Sequence, residues 1–233
     1  MHDLNNNSPL IDVIIPAYNE QDSIGKVIGD IPDVVRRVVV CNNGSKDQTK
    51  KRAIEAGAIV VDEPKAGYGR ACLAGIRFLV ESGNHPDIVV FMDGDYSDFP
   101  HQLLDIVEPI RQGYDMVIGS RALGDLQKGS MTTPQIFGNW LATNLIRLFY
   151  KYEFTDLGPF RGIRYDKLIE LNMKDKDFGW TVEMQVKAAK KGYKCTEVPV
   201  DYRKRIGVSK VSGTIKGTIL AGHKILWTIF KLI

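Results

Sequence analysis

Cysteine is scarce in this 233-residue chain: Cys41, Cys72 and Cys195 lie far apart, with no C-x-x-C pair. That pattern excludes a disulfide framework and a structural zinc site, and it fits a reduced, cytoplasmic setting. No stretch reaches about 18 uninterrupted apolar residues, so no bilayer-spanning segment is expected. The N-terminal MHDLNNNSPL is polar and lacks the apolar region of a secretion signal. Internal repeats, low-complexity tracts and Pro/Gly-rich linkers are also missing, which argues for one domain. Acidic residues stop at Asp201, whereas seven Lys and Arg follow it. The segment 203–233 is therefore +7; with a net charge of +3, the remainder is −4. Such asymmetry suits an anionic partner, either phosphate or a membrane surface. Nucleic acid is disfavoured, because there is no reader motif and no aromatic interleaving of the basic cluster.

What is present is an alternation of strand and helix patterns. A hydrophobic content of 44% supports a real core for one large α/β domain. IDVIIP (11–16), VRRVVVC (35–41), AIVV (58–61), DIVVFMD (87–93) and DMVIGS (115–120) read as strands, separated by helical patterns. Their Val and Ile runs lack polar alternation, which implies strands covered on both faces of a mostly parallel sheet. After Ser120 the rhythm breaks into a long polar loop, RALGDLQKGSMTTPQ. A helix around Trp140, a short strand at GPFRGIR, a helix over FGWTVEMQVKAAKKG and a strand at CTEVPVDYRKR follow. The tail GTIKGTILAGHKILWTIFKLI reads as a final amphipathic helix.

In parallel α/β sheets, ligands bind beyond the carboxyl ends of strands. Polar clusters stand at each of those ends: AYNE, NNGSKD, DEPKAGYG, DGDYSD and SR. Asp93 and Asp95, two residues apart in extended chain, present carboxylates side by side, and Gly94 allows close backbone approach. Hard oxygens at that spacing suit Mg²⁺ or Mn²⁺, which keep positions open for substrate phosphates. Asp98, just before FPHQLL, reads instead as a helix cap. Gly67 and Gly69 open a helix as a lone G-x-G that is misplaced for a dinucleotide fingerprint, so the loop is expected to lie close to a nucleotide or sugar.

VIIPAYNE, NNGSKDQT, GYGRACLAG, DGDYSDFP, GSR, DLGPFR, GWTVEMQ and RIGVSK stand in the order seen in glycosyltransferase family 2. Over about residues 10–212 the chain resembles its dolichol-phosphate and polyprenyl-phosphate mannosyl- or glucosyltransferase branch. The resemblance implies a GT-A fold, a nucleotide-sugar donor (UDP- or GDP-hexose), a divalent metal and inverting transfer. It places Pro16, Tyr18, Glu20, Asn42, Asp47 and Asp93 at the donor, beside Gly67, Gly69 and Gly94 from the loop reading above, and Asp93 and Asp95 on the metal. Asn42 replaces the acid that usually leads its motif, and Ser97 stands where relatives carry Gln as a further ligand. Arg121 matches a basic residue facing the diphosphate or the acceptor phosphate, Asp156 and Arg161 match the D-x-x-G-F-R region, and Glu183 a helix acid on the acceptor side. Lys204 or Arg205, with Ser209 and Lys210, match a basic acceptor segment.

Two acceptor chemistries stay open on these residues. A hydroxyl acceptor needs a general base, for which Glu183 and Asp156 are the candidates. A polyprenyl phosphate is already anionic and needs only positioning, which Arg121, Arg161 and the basic segment 203–210 supply. A non-catalytic nucleotide-sugar-binding protein would keep the donor pocket without turnover, and retention of both D-x-D acids argues against it. The helix of 213–233 is either a peripheral contact at the inner face of the cell membrane or docked on the core or a homo-oligomer interface.

Overall fold

A computed structural model describes residues 8–207 and 215–233. Its strands are β1 (Ile11–Ala17), β2 (Val35–Asn42), β3 (Ile59–Asp62), β4 (Ile88–Phe91), β5 (Met116–Ser120), β6 (Arg161–Arg164) and β7 (Cys195–Pro199). They form one seven-stranded sheet in the order β3-β2-β1-β4-β6-β5-β7. Every pairing is parallel except those of β6, which runs antiparallel to β4 and β5. All residues of β1, β4 and β5 are buried, as their unbroken apolar runs predict. Along β1 the two-residue period divides the core: Ile14 packs with Cys41, Phe91 and Trp180 on one face, Val13 and Ile15 with Val40 and Leu103 on the other.

Among the described residues eight α-helices flank the sheet: α1 (Ile24–Gly29), α2 (Thr49–Glu55), α3 (Tyr68–Glu81), α4 (Leu103–Arg111), α5 (Thr133–Tyr150), α6 (Tyr165–Leu171), α7 (Trp180–Lys190) and α8 (Ile215–Lys231). The short α6 was not expected from the pattern. The loop after β5 is also shorter than expected, because α5 begins inside TTPQ. There Thr132 and Gln135 form a reciprocal capping box and Pro134 sits in the first turn, so local chemistry starts the helix. The tail helix α8 packs against α5 and α7. Ile229 is fully buried, the Tyr150 hydroxyl donates to its carbonyl at 2.5 Å, and Lys224 pairs with Asp175 at 2.9 Å.

Close packing also governs the start of α3. Gly67 has φ +144°, and a Cβ on either Gly67 or Gly69 would run into the backbone of residues 175–177. Arg70 N donates to the Lys176 carbonyl at 3.1 Å, which seats that loop on the helix start. Gly75 likewise lets α3 lie on Ile14 and Cys41 of the sheet. Gly69→Ala is expected to destabilise the protein by about 1–3 kcal/mol through overpacking. For a chain of this size that lowers Tm by about 2–4 °C per kcal/mol, measurable by calorimetry; an unchanged Tm would show that the loop yields freely.

Candidate active site

The carboxyl ends of the parallel strands open into a cavity of about 610 Å³. Pro16, Tyr18 and Glu20 enter from the end of β1, Asn43 from β2, Gly67 and Tyr68 from the start of α3, and Asp93, Gly94 and Asp95 from the turn after β4. Arg121 follows β5, and Tyr202 and Arg205 follow β7. Helix α5 contributes Pro134, Gln135, Gly138 and Asn139, and α8 contributes Ala221, Gly222 and Ile225. The tail helix is thus a wall of the cavity, and a boundary at residue 212 does not separate it from the catalytic body.

The three crowded acids separate by environment. Asp95 is buried; its Oδ1 accepts from the Ser97 amide at 3.0 Å and from the Ser97 hydroxyl, while Oδ2 pairs with Arg205 Nη1 at 2.7 Å. Ser97 therefore holds a first acid in place. Asp93 Oδ1 accepts from the Tyr68 hydroxyl at 3.2 Å. Burial, and then the charge of Asp95, push the Asp93 carboxyl up to about 7. Asp98 is not the helix cap that its position suggests. Phe99 and Gln102 occupy the cap positions of the turn and helix that follow, whereas Asp98 is 2% exposed and accepts from Asp93 N at 3.4 Å. A backbone bridge to Tyr202 covers it, and burial beside Asp93 and Asp95 raises its pKa well above the usual carboxylate range.

Arg121 is aimed by Asp156. The Asp156 carboxylate accepts from the Arg121 amide at 2.8 Å, from Nε at 2.8 Å and from Nη2 at 2.7 Å, a bidentate fork. Burial opposes the charge on Arg121, but Asp156 overrides it and raises the guanidinium pKa. The guanidinium also lies 5.0 Å from the Tyr202 ring centroid. Asp156 itself is 1% exposed and does not line the cavity.

Several expected contacts move behind the wall. Glu183 accepts from Lys174 N at 3.0 Å and Asp175 N at 2.6 Å and pairs with Lys187 at 2.6 Å, so it ties the 174–177 loop to α7. Arg161 is fully buried and spends its donors on the carbonyls of Leu157, Gly158 and Thr181; burial lowers its pKa to about 10. Asn42 is buried, accepting from Ser45 N and donating to Asp62 at 2.8 Å. Asp47 holds the loop after β1; burial opposes its charge, but hydrogen bonds accepted from the Thr49 hydroxyl, Thr49 N and Gln21 N together lower its pKa. Gly69 packs on the 175–177 loop, and Lys204 is exposed beside Gly129. Ser209 and Lys210 lie outside the described residues.

Sequence reasoning missed other wall residues. Asn43 lines the cavity while its amide donates to the Glu63 and Lys65 carbonyls and accepts from Gly67 N. The second asparagine of NNGS was the available signal. Tyr68 lies inside GYGRACLAG, where the glycines alone carry the site reading, whereas Tyr202 and Asp177 carry no motif that separates them from core or loop residues. Burial, and then Asp175, raise the Asp177 pKa.

Comparison with known proteins identifies the family and the fold. The profile of the family described as Glycosyl transferase family 2 matches residues 12–171. Undecaprenyl-phosphate mannosyltransferase of Micrococcus luteus is 33% identical over 217 residues, covering 88% of each chain. Glycosyltransferase AglJ of Haloferax volcanii is 32% identical over 195 residues, covering 83% of this chain and 63% of that protein. Among solved structures, glucosyl-3-phosphoglycerate synthase from Mycobacterium tuberculosis, in complex with Mn²⁺, UDP and phosphoglyceric acid, superposes with a TM-score of 0.74. That similarity, at 19% identity and over 97% of this chain and 78% of the other, is one of fold. The chain belongs to glycosyl transferase family 2: it is a glycosyltransferase with the α/β GT-A fold of that family.

Proposed function

We propose that the protein transfers a hexose from UDP- or GDP-hexose to a polyprenyl phosphate, with inversion at the anomeric carbon. The observation that carries the acceptor assignment is the absence of Asp156 and Glu183 from the cavity wall, each with its carboxylate engaged by backbone amides and a cation. With neither able to act as base, a nucleophile that is already anionic fits the site. Arg121 and Arg205 line the cavity as cations for phosphate oxygens. Met131, Leu157, Pro159, Phe178 and Ile225 supply an apolar side for a lipid. The curated relatives include a dolichyl-phosphate hexose transferase of Haloferax volcanii, 31% identical over 206 residues.

Asp93 and Asp95 fit Mg²⁺ or Mn²⁺. Their hard carboxylate oxygens both line the cavity, on either side of Gly94. An open two-acid site leaves positions for diphosphate oxygens. When bound, the ion neutralises the charge of the leaving nucleoside diphosphate, worth several kcal/mol. Tyr68 and Ser97 hold the two acids, while Pro16, Tyr18, Glu20, Gly67 and Gly94 shape the donor side. Solved structures of the fold neighbour contain Mn²⁺ or Mg²⁺ with UDP.

A second reading keeps a hydroxyl acceptor, favoured by Asp177, a wall carboxylate whose raised pKa suits a base. Turnover of nucleotide sugars with Mn²⁺ or Mg²⁺, with and without polyprenyl phosphate, separates the two readings. Asp95→Ala should abolish metal-dependent turnover with the fold intact by circular dichroism, and unchanged activity would remove the metal assignment. Asp177→Asn should retain transfer to a lipid phosphate within about tenfold, because general-base loss ordinarily removes about 10²–10⁴. A larger loss would favour the hydroxyl reading.

The raised carboxyl of Asp93 gives a pH signature in metal-free protein. Burial and the Asp95 charge raise its pKa from the ordinary aspartate value of 3.8 to about 7 in the folded protein, so its ionisation destabilises the fold progressively as pH rises between those values. Asp93→Asn should therefore raise the metal-free Tm at pH 8, with a benefit that shrinks towards pH 4. An equal effect at both pH values would contradict the burial of a charged Asp93.

The same reading places the enzyme at the inner face of the cell membrane, on a surface formed by α5 and α8, with residues 10–212 carrying the remaining machinery. Neither helix contains an acidic residue. Phe137 and Trp140 on α5 and Trp227 and Phe230 on α8 are exposed, and Phe149 packs edge-on against Phe230 across the pair. No described helix is long and apolar enough to cross a membrane, so the contact would be interfacial. Sedimentation with vesicles containing anionic lipid should pull down the protein, and Trp140→Ser with Trp227→Ser should weaken binding at unchanged Tm. Equal binding by that variant would remove this surface.

A further inference from the structure

The acid that is proposed to hold the metal already holds a cation of the chain's own. Arg205 Nη1 lies 2.7 Å from Asp95 Oδ2, while Ser97 engages Oδ1, so both oxygens of Asp95 are taken. The segment that carries Arg205 is laid against the acidic turn by main-chain bonds. Arg203 N donates to the Ser97 carbonyl at 3.0 Å, Ile206 N donates to the Asp95 carbonyl at 2.9 Å, and Tyr202 bridges Asp98. The Arg203 guanidinium is stacked 3.4 Å from the Tyr96 ring centroid and donates through Nε to the Tyr96 carbonyl at 2.6 Å. Lys204 N is held on the other side by Gln127 at 2.7 Å. The backbone thus delivers one of three consecutive cations, and only that one, to Asp95.

We infer that Arg205 is a latch on the metal site: its guanidinium neutralises Asp95 in the donor-free protein and leaves Oδ2 when a divalent ion enters together with a nucleoside diphosphate. This rests on the proposed metal role of Asp95. Charge balance gives the direction. A divalent ion alone would crowd a second cation against Arg205 on one carboxylate. The ion with its diphosphate brings anionic oxygens to which the released guanidinium can turn. Metal and nucleotide therefore bind cooperatively, and removing the latch should strengthen binding of the metal alone. Removing the guanidinium also removes its contact with the diphosphate, so the coupling between metal and nucleotide falls by at least the gain in metal affinity, and reciprocally the metal's enhancement of nucleotide binding falls equally.

The test is Mn²⁺ affinity, read from the paramagnetic resonance of free Mn²⁺, with and without UDP and, in parallel, GDP. Arg205→Met should bind Mn²⁺ alone about fivefold or more tighter than the unmodified protein, within the ordinary range of such couplings. The enhancement of Mn²⁺ binding by nucleotide should shrink by at least that factor. Arg205→Lys, which keeps the charge, should stay near the unmodified protein. If Arg205→Met fails to fold by circular dichroism, Arg205→Gln carries the same expectation. Equal or weaker Mn²⁺ binding in the neutral variants overturns the latch, as does a crystal structure with Mn²⁺ and nucleotide in which Arg205 still pairs with Asp95. A protein that binds no Mn²⁺ under any of these conditions would instead overturn the metal assignment itself.

Discussion

Three carboxylates within six residues, at the end of a fully buried strand, are the constraint around which this end of the molecule is arranged. Repulsion and desolvation act together on them: Asp93 and Asp98 both have raised pKa values. The chain meets that cost with cations and hydrogen-bond donors brought from distant positions. Arg205 comes from the segment after β7, Tyr68 from the start of α3 and Ser97 from the turn itself. Main-chain bonds from Arg203 to Ser97 and from Ile206 to Asp95, with the bridge between Asp98 and Tyr202, lay the C-terminal segment against the acids.

The remainder of the site is a set of supports one layer back. Asp156 is the clearest case. It sits at the position where a catalytic acid was expected, yet its carboxylate is committed to Arg121 in a bidentate fork. Glu183 and Arg161 are similar. Each spends its hydrogen-bonding capacity on loop backbone, and each loop in turn presents residues to the cavity, Asp177 from one and Leu157 and Pro159 from the other. A motif residue can thus be essential to a site without touching its ligand, and this arrangement narrows the chemistry. With two candidate bases withdrawn, the cations at the cavity carry more of the argument for an anionic acceptor.

Helices α5 and α8 connect this chemistry to a surface. Their inner residues close the cavity, and their outer faces expose aromatic rings without a carboxylate on either helix. The tail, which sequence periodicity alone leaves between a membrane contact and a docked helix, is docked through Ile229, buried against the core, and leaves Trp227 and Phe230 exposed, the rings on which the proposed membrane contact rests.

The alternation of apolar runs and polar ends was enough to read the parallel α/β sheet, its two-sided core and the edge at which ligands gather, because strand burial and helix amphipathicity are local periodicities. The family motifs, likewise local, marked Asp93, Asp95, Arg121 and the residues after β1. What the sequence left undecided was which side chains face the cavity. Lys204 and Arg205 are neighbours with the same charge, and only the register of the segment against Ser97 and Asp95 turns one outward and the other onto a carboxylate. Asp98 reads as a cap because caps are recognised locally, and it is buried because a residue more than a hundred positions away, Tyr202, covers it. Partner choice for a charged side chain is set by long-range packing and desolvation, and neither is written in the spacing of residues along the chain.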